Sequence, residues 1–235
     1  MSLNYTTYVA QISNIMAVSS TTTQFQTMLP GMIDYAEQRI YREIDLLQTV
    51  ITNSTASCTT DVRTFTLPTN LGTFITVQGI NVATPVGTPI NNGQRIILQP
   101  VAREYIDAVW NSNINTGTPA VFAMLDQFTI ILGPWPDANY QVEVIGTIRP
   151  TPLSATNTTT FLTTYLPDLF LAASMIFASG YQRDFGSQAD NPQQSASWEM
   201  QYEKLFASAN AEELRKKFSG LGWTSYSNMP SSPVR

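Results

Sequence analysis

The stretch "AVFAMLDQFTIILGPWPDANYQVEVIGTIRPTPLS", residues 120–154, decides the fold class. In its second half Tyr140, Val142, Val144, Gly146 and Ile148 alternate with Gln141, Glu143, Ile145, Thr147 and Arg149, the period of a strand with one buried face. Phe128, Ile130 and Leu132 read as its partner strand, which makes "GPWPDAN" the hairpin loop between them. Pro134 and Pro136 lack donors and resist extending a ladder, so a stiff, projecting turn is expected with Trp135 at its tip. That ring is read as folding back onto the sheet or into a neighbouring subunit, in preference to stacking on a sugar or base.

Working outward, the preceding segments share this period. "VRTFTLP", "TFITVQGINVAT" and "GQRIILQP" are short, rich in β-branched residues and bounded by Pro, Gly and Asn, as antiparallel strands are. One helix interrupts them, "PVAREYIDAVWNS" from Pro100, with Val101, Tyr105, Ala108 and Val109 expected inward. "TVITNSTASCTTD", residues 49–61, reads as a linker or weak edge strand that holds Cys58 as a small linker residue.

Both flanks are helical. Tyr5, Tyr8, Val9, Ile12, Ile15 and Met16 share one face of a first helix. A second, capped at Thr22 or Thr23, carries the stripe Ile33, Ala36, Ile40, Ile44 and Leu47; Pro30 either divides it or starts its longer piece. Asp34, Glu37, Arg39, Arg42 and Glu43 are expected on solvated faces. After the insertion, Leu166, Leu169, Phe170, Ala173, Ile176, Phe177 and Tyr181 form a wide apolar face, while Ala172, Ser174, Ala178 and Gly180 allow close helix approach. A last helix starts at Asn191-Pro192, turns Trp198, Tyr202, Leu205 and Ala209 inward, and pairs Glu212 with Lys216 and Glu213 with Lys217. "SGLGWTSYSNMPSSPVR" closes the chain as an extended tail whose Trp223, Tyr226 and Met229 suit anchors that order on a partner.

The expected fold is therefore α+β: a helical bundle built from the N- and C-terminal helices, an inserted antiparallel β-domain and an extended C-terminal tail. The boundaries are 1–48 and 159–218 for the helices, 49–158 for the insertion and 219–235 for the tail.

Composition excludes much chemistry. The 235 residues include one cysteine and no histidine, which removes intramolecular disulfides, Cys/His zinc sites, Ser-His-Asp triads and Cys-His dyads. Charged residues are 12% of the chain, about half the usual quarter, and the net charge of −5 disfavours a general grip on nucleic-acid phosphates. "DFG" at 184–186 lacks the other elements of a kinase, "GLG" at 220–222 follows a helix, and Asp107, Asp126, Asp137 and Glu143 lie on separate elements with no glycosidase spacing. No catalytic residue, metal or cofactor is expected. The run 166–181 is too short to span a bilayer, no signal peptide is legible, and the sequons at Asn4, Asn53 and Asn157 read as accidental.

The order of four segments carries a resemblance: "LPGMIDYAEQRIYREIDLL", "VAREYIDAVW", the "GTPAVFAM…LGPWPD…Y" stretch and "FLTTYLPDLFLAASMIFASGYQRD". Over residues 25–218 the chain resembles the head-to-tail adaptor proteins of tailed bacteriophages. The resemblance implies a structural virion protein without enzymatic activity. It implies a ring, expected to be twelve-fold, beneath the portal vertex in the neck, built from copies of the chain in the host cytoplasm. The implied partners are the portal protein, the tail nozzle or tail-tube protein, and genomic double-stranded DNA that passes through the bore without sequence-specific binding; no membrane is involved. It further implies that the C-terminal segment, with Trp223, Tyr226, Met229 and Arg235, grasps the portal, while Trp135, Asp137, Phe170, Phe177 and Tyr181 serve a subunit or tail interface. The rival reading is a carbohydrate- or surface-binding β-module that uses Trp135.

Overall fold

A computed structural model of the chain describes residues 3–182 and 192–220. In chain order these form α1 (Tyr5–Ile15), α2 (Thr23–Glu43), a 3-10 turn (Leu47–Thr49), β1 (Val50–Ser57), β2 (Thr64–Thr66), β3 (Gly72–Thr84), β4 (Gln94–Ile97) and β5 (Gln99–Pro100). Next come α3 (Arg103–Val109), β6 (Thr116–Gly117), β7 (Val121–Met124), β8 (Thr129–Gly133), β9 (Trp135–Pro136) and β10 (Gln141–Pro150). Three helices close the fold: α4 (Phe161–Tyr165), α5 (Pro167–Gln182) and α6 (Pro192–Gly220). The class is α+β. The chain divides into two compact units, Met1–Leu47 with Pro152–Arg235, and Gln48–Thr151. Among the described residues no helix is long and apolar enough to cross a membrane.

The helical unit is nucleated locally and closed by distant contacts. Asn4 caps α1 in a reciprocal box with Thr7, and Thr160 caps α4 with Thr163, so both helix starts satisfy orphan amides with short polar side chains. Pro167 opens α5 at a position that needs no amide donor, with Asp168 in the first turn where the helix dipole favours an anion. The core joins Tyr8, Ile12, Phe25, Ile33, Ala36, Ile40, Phe170, Ala173 and Tyr202. Deep inside it the Tyr8 hydroxyl donates to Ser174 Oγ at 2.8 Å, and Ser174 donates onward to the Phe170 carbonyl at 2.8 Å.

Several helical expectations are corrected. Pro30 lies inside α2, which runs unbroken; it is exposed, as is Gln26, whose carbonyl loses its donor, so water can replace the missing bond. Packing of Phe25 and Leu29 before it and Met32 and Ile33 after it holds the helix. Ile15 is exposed at the end of α1. Leu47 is exposed too, because α2 ends at Glu43 and Leu46 fills the core in its place. Glu37 is not on a solvated face but buried. Lys217 pairs with Asp45 rather than Glu213, and Lys216 takes both Glu212 (2.8 Å) and Glu213 (2.7 Å).

The β unit has two four-stranded sheets, ordered β1-β10-β3-β4 and β2-β8-β7-β5, and a two-stranded pair β6-β9. Phe74, Ile80, Val142 and Val144 from the first sheet meet Phe65, Phe122, Ile130 and Leu132 from the second in one core, with Cys58 buried beside them. Alternation along the second sheet sends Ala123 and Ile131 to its other face, against Ile106 of α3. The inward residue of α3 is thus Ile106, while Tyr105 and Val109 are exposed.

The hairpin read from the opening stretch does not form. β8 pairs with β7 and β2, whereas β10 lies between β1 and β3 in the other sheet. Residues 134–139 therefore cross from one sheet to the other, and alternation within each strand carries no information on which neighbour it takes. Segment 49–61 contains a true edge strand, β1, and Cys58 belongs to the core rather than a linker; burial raises its thiol pKa. The insertion also includes two short parallel pairings, β5 with β7 and β6 with β9.

Candidate interaction surfaces

On the helical unit, α2 and α5 leave an open groove. Tyr35 and Phe177 sit at the flank of the two buried stripes, with ring centres 5.4 Å apart, and are 37% and 39% exposed. With Met28, Ile176 and Gly180 they line a depression of about 410 Å³. A second cleft of about 520 Å³ adjoins it and shares both rings, adding Asp34, Gln38, Arg39 and Arg42. Exposed aromatic rings beside an arginine are the composition favoured at the centre of protein interfaces.

The charges around this groove divide into two groups. Arg39 is committed internally: it pairs with Glu43 at 3.1 Å, forks onto Glu199 of α6, and lies 4.2 Å from the centre of the Tyr202 ring. Tyr202 in turn donates to Glu43 at 2.6 Å. The Glu199 bond raises the Arg39 pKa, and Arg39 lowers that of Glu199. Asp34 and Arg42 are held differently, at the two ends of a ladder in which Gln38 donates to Asp34 (2.7 and 2.8 Å) and accepts from Arg42 (2.6 Å). Neither has an ion pair among the described residues.

Of the residues assigned from sequence to a subunit or tail interface, Phe177 lies in this groove. Phe170 does not: it is fully buried, 5.0 Å from the Tyr8 ring, and belongs to the core of the chain itself. Tyr181 is in α5, with its side chain outside the described residues. Trp223, Tyr226, Met229 and Arg235 also lie outside them.

On the β unit, Trp135 is half-buried and tied down. Its Nε1 donates to the Trp110 carbonyl at 2.9 Å, and the Arg63 guanidinium stands 5.3 Å from its ring centre. Arg63 is itself fixed by Asp107 at 2.8 Å, which also pairs with Arg103 at 3.4 Å. Gly133 is required beneath this cluster, since a Cβ there would come within 2.5 Å of the Trp110 ring. The donor and one face of Trp135 are thus occupied within the β unit, and the ring is fixed in place. Asp137 is exposed and accepts from the Tyr140 hydroxyl at 2.7 Å.

Sequence reading missed three residues. Tyr35 completes the groove, and its place on the edge of the Ile33–Ala36–Ile40 stripe was the available signal. Glu37 follows Ile33 by one turn, so its spacing puts it on that stripe despite its charge. Its carboxylate accepts the Leu153 amide at 3.0 Å, and burial pushes its pKa to about 7, with the Leu153 bond opposing and Asp34 adding. Glu213 is buried as well and accepts from Leu47 N at 3.1 Å. Among the described residues, no group of three His, Cys, Asp or Glu could hold a metal ion.

A family model described as SU10 adaptor protein matches residues 3–223, nearly the whole chain. No curated protein matches. A match over nearly the whole chain makes it a member of the SU10 adaptor protein family, structural adaptors of bacteriophages.

Proposed function

We propose that the protein is a head-to-tail adaptor of the virion neck, forming a ring, expected to be twelve-fold, that joins the portal to the tail nozzle or tail tube. Genomic DNA passes through the bore without sequence-specific binding, and the acidic balance of the chain suits a conduit that must not hold it. The C-terminal segment grips the portal through Trp223, Tyr226, Met229 and Arg235. Phe177 and Tyr181 on the helical unit, and Trp135 and Asp137 on the β unit, contribute to contacts with neighbouring copies or the next tail component.

The observation that carries this reading is the family match across residues 3–223. The exposed Tyr35–Phe177 pair and the low charge content support it, because interface cores are rich in aromatic and poor in charged residues.

The test is sedimentation of the full chain with and without the portal ring from the same genome, and of a variant that lacks residues 219–235. Co-sedimentation that is lost on truncation is the expected result. An intact chain that never joins the portal ring overturns the proposal.

A further inference from the structure

Helix α6 has two faces of opposite character. Its inner stripe, Tyr202, Leu205, Ala209 and Glu213, packs into the helical unit. Roughly half a turn away, Met200, Lys204, Ala207, Ala211 and Leu214 recur at alternating four- and three-residue steps, and all are exposed. Met200 is 59% and Leu214 47% exposed, and the two alanines between them leave a shallow strip. Glu203 and Arg215 border this face, and neither has an ion pair among the described residues.

We infer that the outer face of α6 in one copy docks antiparallel into the α2/α5 groove of the next copy, setting Asp34 against Arg215 and Arg42 against Glu203. The inference rests on the ring reading above and names both halves of its repeating contact. Four charges that have no ion pair among the described residues carry it. Asp34 and Arg42 stand about 12 Å apart along α2, and Glu203 and Arg215 about 18 Å apart along α6, at 1.5 Å per residue. Arginine side chains at one end of each pair have the reach to close that difference. A parallel docking would set Asp34 beside Glu203 and Lys204, which offset each other, and Arg42 against Arg215, a like-charge contact that opposes association. The antiparallel one gives each of the four an opposite charge, with Lys204 beside Glu203 as the one like charge at the Arg42 end.

Packing agrees with the charges. The exposed Tyr35 and Phe177 rings need a shallow counter-surface, which Ala207 and Ala211 supply. Groove and ridge are different faces of the same unit, so each copy uses both and the contact is heterologous, the kind that builds a ring when its rotation closes.

The experiment uses the full chain mixed with the portal ring from the same phage. Arg42→Glu is expected to weaken association between copies by about tenfold or more, and Arg42→Glu with Glu203→Arg to recover most of it. A Gln38→Cys, Ala207→Cys variant should give a ladder of disulfide-linked oligomers on mild oxidation, which neither single substitution gives; Cys58 is buried and stays out of it. The cysteine pair decides the matter even if a charge variant folds poorly. Wild-type rings together with no charge rescue and no ladder would overturn this docking and leave the ring reading intact. Cross-linking that stops at dimers would overturn the head-to-tail contact in favour of a two-fold one. If no oligomer forms with or without the portal ring, both readings fall.

Discussion

The Glu37 carboxylate accepts the Leu153 amide at 3.0 Å, although 116 residues separate them. This bond fastens the chain where it returns from the β insertion to the helical unit, and it does so with a carboxyl that is only 4% exposed. The folded pKa of about 7 lies above the ordinary carboxyl value near 4.5. Between these values the folded state binds more protons than the unfolded one, so the Glu37 contribution is fully present below about pH 4.5 and is lost as pH rises through about 7.

Glu37→Gln keeps an acceptor for Leu153 and cannot ionise. Its stability relative to the wild type should therefore be higher at pH 8 than at pH 5, by on the order of 3 kcal/mol. Glu143 and Glu199, whose pKa values are lowered, respond oppositely but are common to both proteins and cancel in the difference. Urea unfolding of both proteins across this range measures it; a difference independent of pH would show that Glu37 does not titrate there.

Ser174→Ala and Tyr8→Phe remove the same buried hydrogen bond from opposite ends. Loss of the serine strands the Tyr8 hydroxyl, fully buried, at a cost of about 1–3 kcal/mol. Loss of the tyrosine hydroxyl leaves Ser174 still donating to the Phe170 carbonyl, so it should cost less, about 1 kcal/mol. Equilibrium unfolding of the pair checks the order, which reverses if the Tyr8 hydroxyl finds another partner.

Gly133→Ala places a methyl against the Trp110 ring and should destabilise the β unit by about 1–3 kcal/mol. Displacing Trp110 also disturbs the bond that its carbonyl accepts from Trp135, so a change in tryptophan fluorescence should accompany the loss. Unchanged melting and emission would mean that Trp110 moves aside freely.

Phe177→Ala opens a site already 39% exposed, so folding should survive with a loss of about 1 kcal/mol or less, whereas assembly with neighbouring copies should fall clearly. Thermal melting and sedimentation of the same sample separate the two effects. Equal loss in both would return Phe177 to the core.

Much of the fold was legible because helix and strand periods are local. The stripes Ile33–Ala36–Ile40 and Tyr202–Leu205–Ala209, and the alternation from Tyr140 to Ile148, all lie on the faces their spacing assigns. The candidate surfaces were less legible. Phe177 and Phe170 belong to the same apolar helix, and periodicity does not say that one is buried against Tyr8 while the other stacks near Tyr35 and stays 39% exposed. Glu37 was misplaced for the converse reason: its charge suggests water, but a backbone amide from the far side of the insertion satisfies it.

What the sequence determined by itself was the class, the order of helices around a β insertion, and the absence of histidine-dependent chemistry and of intramolecular disulfides, since these follow from local periods and residue counts. Only the tertiary structure decided that β8 and β10 lie in different sheets, that Trp135 is held by Trp110 and Arg63, and which charges form ion pairs among the described residues. Strand partners and ion pairs are chosen between segments far apart in the chain, by whichever packing buries the most apolar surface while satisfying the backbone. No local pattern encodes that choice.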